Sequence, residues 1–72
     1  MNDAQIAERV EEIAKTVNNL TIGDHVAVMI EKDENLTRLA AELCMKFGQN
    51  NVQYGGEPAL FPNTVRVLIY RQ

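Results

Sequence analysis

Residues 64–70, Thr-Val-Arg-Val-Leu-Ile-Tyr, are apolar on both faces of an extended chain. Val65, Val67 and Ile69 point one way, and Arg66, Leu68 and Tyr70 the other. A strand of this kind belongs in the middle of a sheet, with a neighbour on each side. A chain of 72 residues has few segments to offer as neighbours. Residues 25–31, His-Val-Ala-Val-Met-Ile-Glu, alternate with Val26, Val28 and Ile30 on one side and His25, Ala27, Met29 and Glu31 on the other. Val52 and Tyr54 mark a shorter strand over 52–54. Gly55 to Asn63 then reads as a loop, the long tip of a hairpin, carrying two Gly, two Pro, Leu60 and Phe61.

Two segments carry the helical period. Over 3–19, Ile6, Val10, Ile13, Val17 and Leu20 recur at spacings of three and four, widened by Ala14, with Asp3 as the N-cap. Over about 34–47, Leu36, Leu39, Ala40, Leu43, Cys44 and Phe47 form a second stripe. Asp33 or Asn35 caps its start, Lys46 suits its last turn and Gly48 its C-terminal exit. The element order is therefore α-β-α-β-β in one small α+β domain spanning 1–72. Both helical stripes need an apolar surface, and one sheet face supplies it through Val26, Val28, Ile30, Val65, Val67 and Ile69. The expected fold is a two-layer α/β sandwich, with two helices on one face of a three-stranded, mostly antiparallel sheet of strand order 1-3-2. This arrangement resembles, in topology alone, the β-α-β-β half of the sandwich of Alba-like chromatin proteins and of the C-terminal domain of the third bacterial initiation factor, with the first strand missing. The basic loop motifs of those families have no counterpart in this sequence, so the resemblance assigns no residue a role.

Charge narrows the function. Acids outnumber bases 10 to 7, and no run of Lys or Arg makes a patch that would gather nucleic acid. The single Cys and single His exclude an intrachain disulfide scaffold and a zinc finger. No apolar run approaches the ~20 residues of a membrane span, and Met1-Asn2-Asp3 does not begin a signal peptide. A free thiol fits a reducing, cytoplasmic location.

Catalytic sets are weakly represented. Cys44 sits on an apolar helical stripe, where a thiol is ordinarily an inert hydrophobe, and His25 opens a strand beside Asp24. Asp33-Glu34-Asn35 starts like a calcium loop, but Arg38 and Cys44 stand where that loop needs Gly and an acid. Gly55-Gly56 feeds a hairpin rather than a helix, and acids stand at both helix starts, so no phosphate cradle and no cofactor are expected.

The informative feature is the second sheet face. Two helices cover one face of a three-stranded sheet, and no element remains for the other. That face would carry Ala27, Met29, Arg66, Leu68 and Tyr70, and Met, Arg and Tyr are enriched at protein interfaces. Tyr54 and, at the hairpin tip, Phe61 are further contact candidates. The reading that follows is a non-enzymatic protein-binding module, a homodimer or a module docking on a larger protein partner, such as a regulator or inhibitor encoded by a phage or mobile element. The alternatives are single-stranded nucleic-acid binding on the open face, with Tyr70 stacking and Arg66 neutralising, and a small-molecule binder in a dimer cleft between Tyr54 and Tyr70.

Overall fold

The computed structural model describes residues 2–33, 35–58, 60 and 62–72. The chain runs α1 (Asp3–Asn18), β1 (His25–Glu31), α2 (Leu36–Phe47), a single 3-10 turn (Gln49–Asn51), β2 (Val52–Gly56) and β3 (Thr64–Tyr70). The three strands form one sheet of order β1-β3-β2, antiparallel throughout. The α-β-α-β-β order, the α+β class and the central place of the last strand are as the sequence implies.

β3 is central because it can bury apolar side chains on one face and pair its backbone on both sides. Its burial alternates residue by residue: Val65, Val67 and Ile69 are buried, and Thr64, Arg66, Leu68 and Tyr70 are half-buried. The buried side meets Ile6, Val10, Ile13 and Val17 of α1, Ile30 of β1, and Leu39 and Leu43 of α2 in one core. Leu43 and Ile69 are both 0% exposed. Burial of each such side chain contributes about 1.5–3 kcal/mol relative to leaving it in water.

Helix boundaries shift slightly from the sequence reading, for local reasons. Asn2, not Asp3, is the N-cap of α1. Its side-chain oxygen accepts from the Gln5 backbone N–H at 2.9 Å, and the Gln5 side chain accepts from the Asn2 N–H at 2.9 Å. This reciprocal capping box satisfies two otherwise orphaned donors. Asp3 lies within the first turn and pairs with Arg38 of α2. The helix stops at Asn18, one residue short of the expected end, and Arg71 donates to the carbonyl of Asn18 itself and to that of Leu20 just beyond it. A cation on these last carbonyls completes hydrogen bonds that the helix cannot make for itself.

α2 begins at Leu36 rather than near 34. Asp33 Oδ1 accepts from the Asn35 N–H at 2.8 Å, so a side chain satisfies a backbone donor just ahead of the helix. At the other end Gly48 has φ 92, a value that favours glycine and lets the chain leave α2 sharply. Within α2 only Leu39 and Leu43 are buried. Cys44, expected on the core stripe, is half-buried, because it sits one step round the helix from Leu43, at the border of the packed side. Exposed ion pairs join the two helices, Arg38 with Asp3 and Lys46 with Glu11. Each is worth about 0–1 kcal/mol, so the core, not these pairs, holds the helices down.

β2 is longer than the sequence reading allowed. It runs to Gly56, with a β-bulge between Tyr54 and Gly56. The Gly55-Gly56 pair, taken from sequence as the start of the loop, supplies the residue that the bulge inserts.

The two faces of β3 make a testable pair. Val67→Asp places an unpaired charge under both helices, and we expect it to abolish cooperative thermal unfolding followed by circular dichroism. Leu68→Lys, one residue on and facing away from the helices, is expected to keep a cooperative transition.

Candidate functional site

The register of the sheet fixes which side chains share the uncovered face. Residues paired across antiparallel strands project to the same side. His25 lies opposite Tyr70, Ala27 opposite Leu68, Met29 opposite Arg66 and Glu31 opposite Thr64. On the other side of β3, Gln53 lies opposite Leu68 and Gly56 opposite Arg66. The two helices pack against Val65, Val67 and Ile69, so these rungs form the face turned away from them.

Four of the sequence candidates therefore come together. Met29, Arg66, Leu68 and Tyr70 occupy adjoining rungs. Met29 is 41% exposed, and Arg66, Leu68 and Tyr70 are half-buried. Tyr70 is steadied by the His25 ring, with centroids 5.0 Å apart and planes tilted by 38°, a separation within the range of favourable ring pairs. Its neighbour across the strand thus orients the largest side chain on the face.

Arg66 is held differently. Gly55, in the bulge, leaves the space beside it empty: a Cβ there would stand 3.3 Å from Arg66 Cγ and Cδ and 3.2 Å from the Arg66 carbonyl oxygen. The aliphatic stem of Arg66 thus lies over the β2 backbone, an apolar use of a cationic side chain. Its Nε is buried without a hydrogen-bond partner among the described residues. Sequence reasoning found Arg66 but not the glycine that seats it. The signal was present in two consecutive glycines at the end of a strand pattern.

Two candidates do not join this group. Tyr54 is paired with Val67, so its side chain projects to the helix side of the sheet, at the β2 edge, where it is 69% exposed. Tyr54 and Tyr70 therefore do not share a face, and a single cleft lined by both does not form within one chain. Phe61 lies outside the described residues. Of its neighbours in the hairpin tip, Pro58 is buried and Leu60 is 86% exposed.

The remaining chemistry is dispersed. His25 is on the open face, whereas Cys44 is on α2, beyond the opposite face. Among the described residues no group of three or more His, Cys, Asp or Glu side chains is placed to hold a metal ion, and no helix is long and apolar enough to cross a membrane. A shallow groove of about 340 Å³ lies where α1, the end of β1 and the start of α2 meet, with Arg9, Met29, Glu31 and Asp33 at its walls. Its charged groups are solvent-exposed or half-exposed, and Arg9 is spent on Glu12 at 3.8 Å and on the Met29 carbonyl at 3.4 Å.

No protein-family model, curated protein or solved structure matches the chain. The reading of the face therefore rests on its own geometry.

The seat of Arg66 can be tested directly. Gly55→Val drives a branched side chain against the Arg66 carbonyl and stem, and we expect a loss of about 1–3 kcal/mol in urea denaturation. A loss of a few tenths would mean that β2 and β3 do not approach each other as closely as described.

Proposed function

We propose that this chain is a non-enzymatic protein-binding module that docks on a protein partner through the open face of its sheet. The observation that carries this reading is the row formed by Met29, Arg66, Leu68 and Tyr70 on one face of adjacent strands, uncovered by either helix. Met, Arg and Tyr are the residue types that supply interface anchors. Tyr70 is oriented by His25 and Arg66 by Gly55, so part of the ordering cost of binding is met before a partner arrives.

Small size, a net charge of −3 and dispersed reactive groups support a regulator or inhibitor over a catalyst. A free thiol at Cys44 supports a reducing, cytoplasmic setting. Self-association is part of the same reading.

The experiment is co-purification of tagged protein from its native host, wild type beside Tyr70→Asp. Tyr70 is half-buried on an uncovered face, so the variant is expected to stay folded, whereas loss of a central interface aromatic costs about 2 kcal/mol or more in binding. The expected result is a protein partner retained by the wild type and lost by the variant, with both chains melting cooperatively. Co-purifying nucleic acid, or partner binding indifferent to Tyr70→Asp, would contradict the reading.

A further inference from the structure

We propose that the free edge of β1 pairs antiparallel with β1 of a second copy, about a twofold axis through Val28, to give one continuous six-stranded sheet. This extends the protein-binding reading by naming one partner and its contact, and it is tested separately from the open face.

The contacts that flank the β1–β3 ladder are Lys32 N–H to the Asn63 carbonyl at 2.8 Å and Arg71 N–H to the Asp24 carbonyl at 2.9 Å. Both belong to the register that pairs His25 with Tyr70 and Glu31 with Thr64. Hydrogen-bonded pairs alternate with non-bonded ones along an antiparallel ladder. Val26, Val28 and Ile30 therefore bond inward to β3, and His25, Ala27, Met29 and Glu31 aim their N–H and C=O groups outward. The Met29 carbonyl confirms this direction, since it accepts from Arg9 of α1 at a long 3.4 Å; that contact leaves the second lone pair of the oxygen for the Ala27 N–H of the second copy.

The two edges of the sheet are unequal. β2 is blunted by its bulge. β1 has seven regular residues without Pro, Lys or a bulge, and its one acidic side chain, Glu31, stands at the end of the strand.

A second copy fits this edge in one register better than in its neighbours. Outward-pointing residues must face outward-pointing residues. Centring the axis on Val28 sets Ala27 opposite Met29 and His25 opposite Glu31, twice over by symmetry, and uses the whole length of the strand. An imidazole N–H donor then faces a carboxylate at each end of the seam. Centring on Ala27 leaves Glu31 beyond the seam, and centring on Met29 leaves His25 beyond it. On the helix side, half-buried Val26 and Val28 gain apolar neighbours. The flank of α1 above this edge carries Arg9 and Glu12, already paired with each other, so it sets no unbalanced charge against its twofold mate. The axis stands perpendicular to the sheet, so the open faces of the two copies lie side by side and double the binding surface.

The test uses the full chain. Sedimentation equilibrium at micromolar concentration is expected to give twice the 8.1 kDa chain mass. In a Cys44→Ser background, single cysteines at Val26, Ala27, Val28 and Met29 are oxidised mildly. Across a non-bonded antiparallel pair the Cα atoms are ~4.5 Å apart, within disulfide reach, so Val28→Cys is expected to cross-link far faster than the other three. His25→Glu sets carboxylates against each other at both ends of the seam, and we expect it to weaken dimerisation roughly tenfold. Adding Glu31→Lys to that variant should restore it. A monomer at these concentrations, a dimer that cross-links best at another position or not at all, or a His25→Glu loss that Glu31→Lys does not repair would overturn the proposal. A monomer that still loses its partner on Tyr70→Asp would remove this edge and leave the open face standing. A Val28-centred dimer whose partner binding ignores Tyr70→Asp would do the reverse.

Discussion

The double pairing of β3 is the constraint on which the rest of the structure depends. Its backbone is bonded to β1 on one side and to β2 on the other, and its buried residues Val65, Val67 and Ile69 form the floor on which both helices rest. Remove β3, and β1 and β2 have no contact with each other in the sheet, while α1 and α2 lose their shared surface. The same strand also places Arg66, Leu68 and Tyr70 on the face the helices do not reach. Fold and candidate function are therefore two faces of one seven-residue segment, and a change in its register by one residue would exchange them.

The core is small, and the surface does little to compensate. The ion pairs are exposed and weak individually. What tightens the ends of α1 is geometry rather than charge density: the Asn2–Gln5 capping box at one end and Arg71 on the carbonyls at the other. Arg71 lies just past β3, so the strand that carries the core also closes the helix.

Much of this was legible in the sequence because alternation and helical period report burial directly. The central place of β3 follows from its apolar residues on both faces, and the strand order follows from that. The four residues that share the open face could be read from period alone, because each lies on the opposite side of its strand from the core valines and isoleucines. What period could not report was backbone detail. The β2 bulge, the extension of that strand to Gly56 and the seat of Arg66 over Gly55 depend on a glycine pair that reads equally well as a loop. Tyr54 alternates correctly with Gln53, yet its role turned on the pairing partner, Val67, which sequence does not give. Asn2 and Asp3 are both good caps, and a hydrogen bond back from Gln5 decided between them. Cys44 and Leu43 are adjacent on α2, and which of them enters the core depends on the angle at which the helix meets the sheet.

The central claim is that β3 is bonded on both sides along its length, and native-state amide hydrogen exchange followed by NMR tests it most directly. The account predicts that every backbone amide from Val65 to Ile69 exchanges slowly, with protection near that of global unfolding. Protection that alternates along 65–69, with every second amide exchanging freely, would mark β3 as an edge strand and contradict the account.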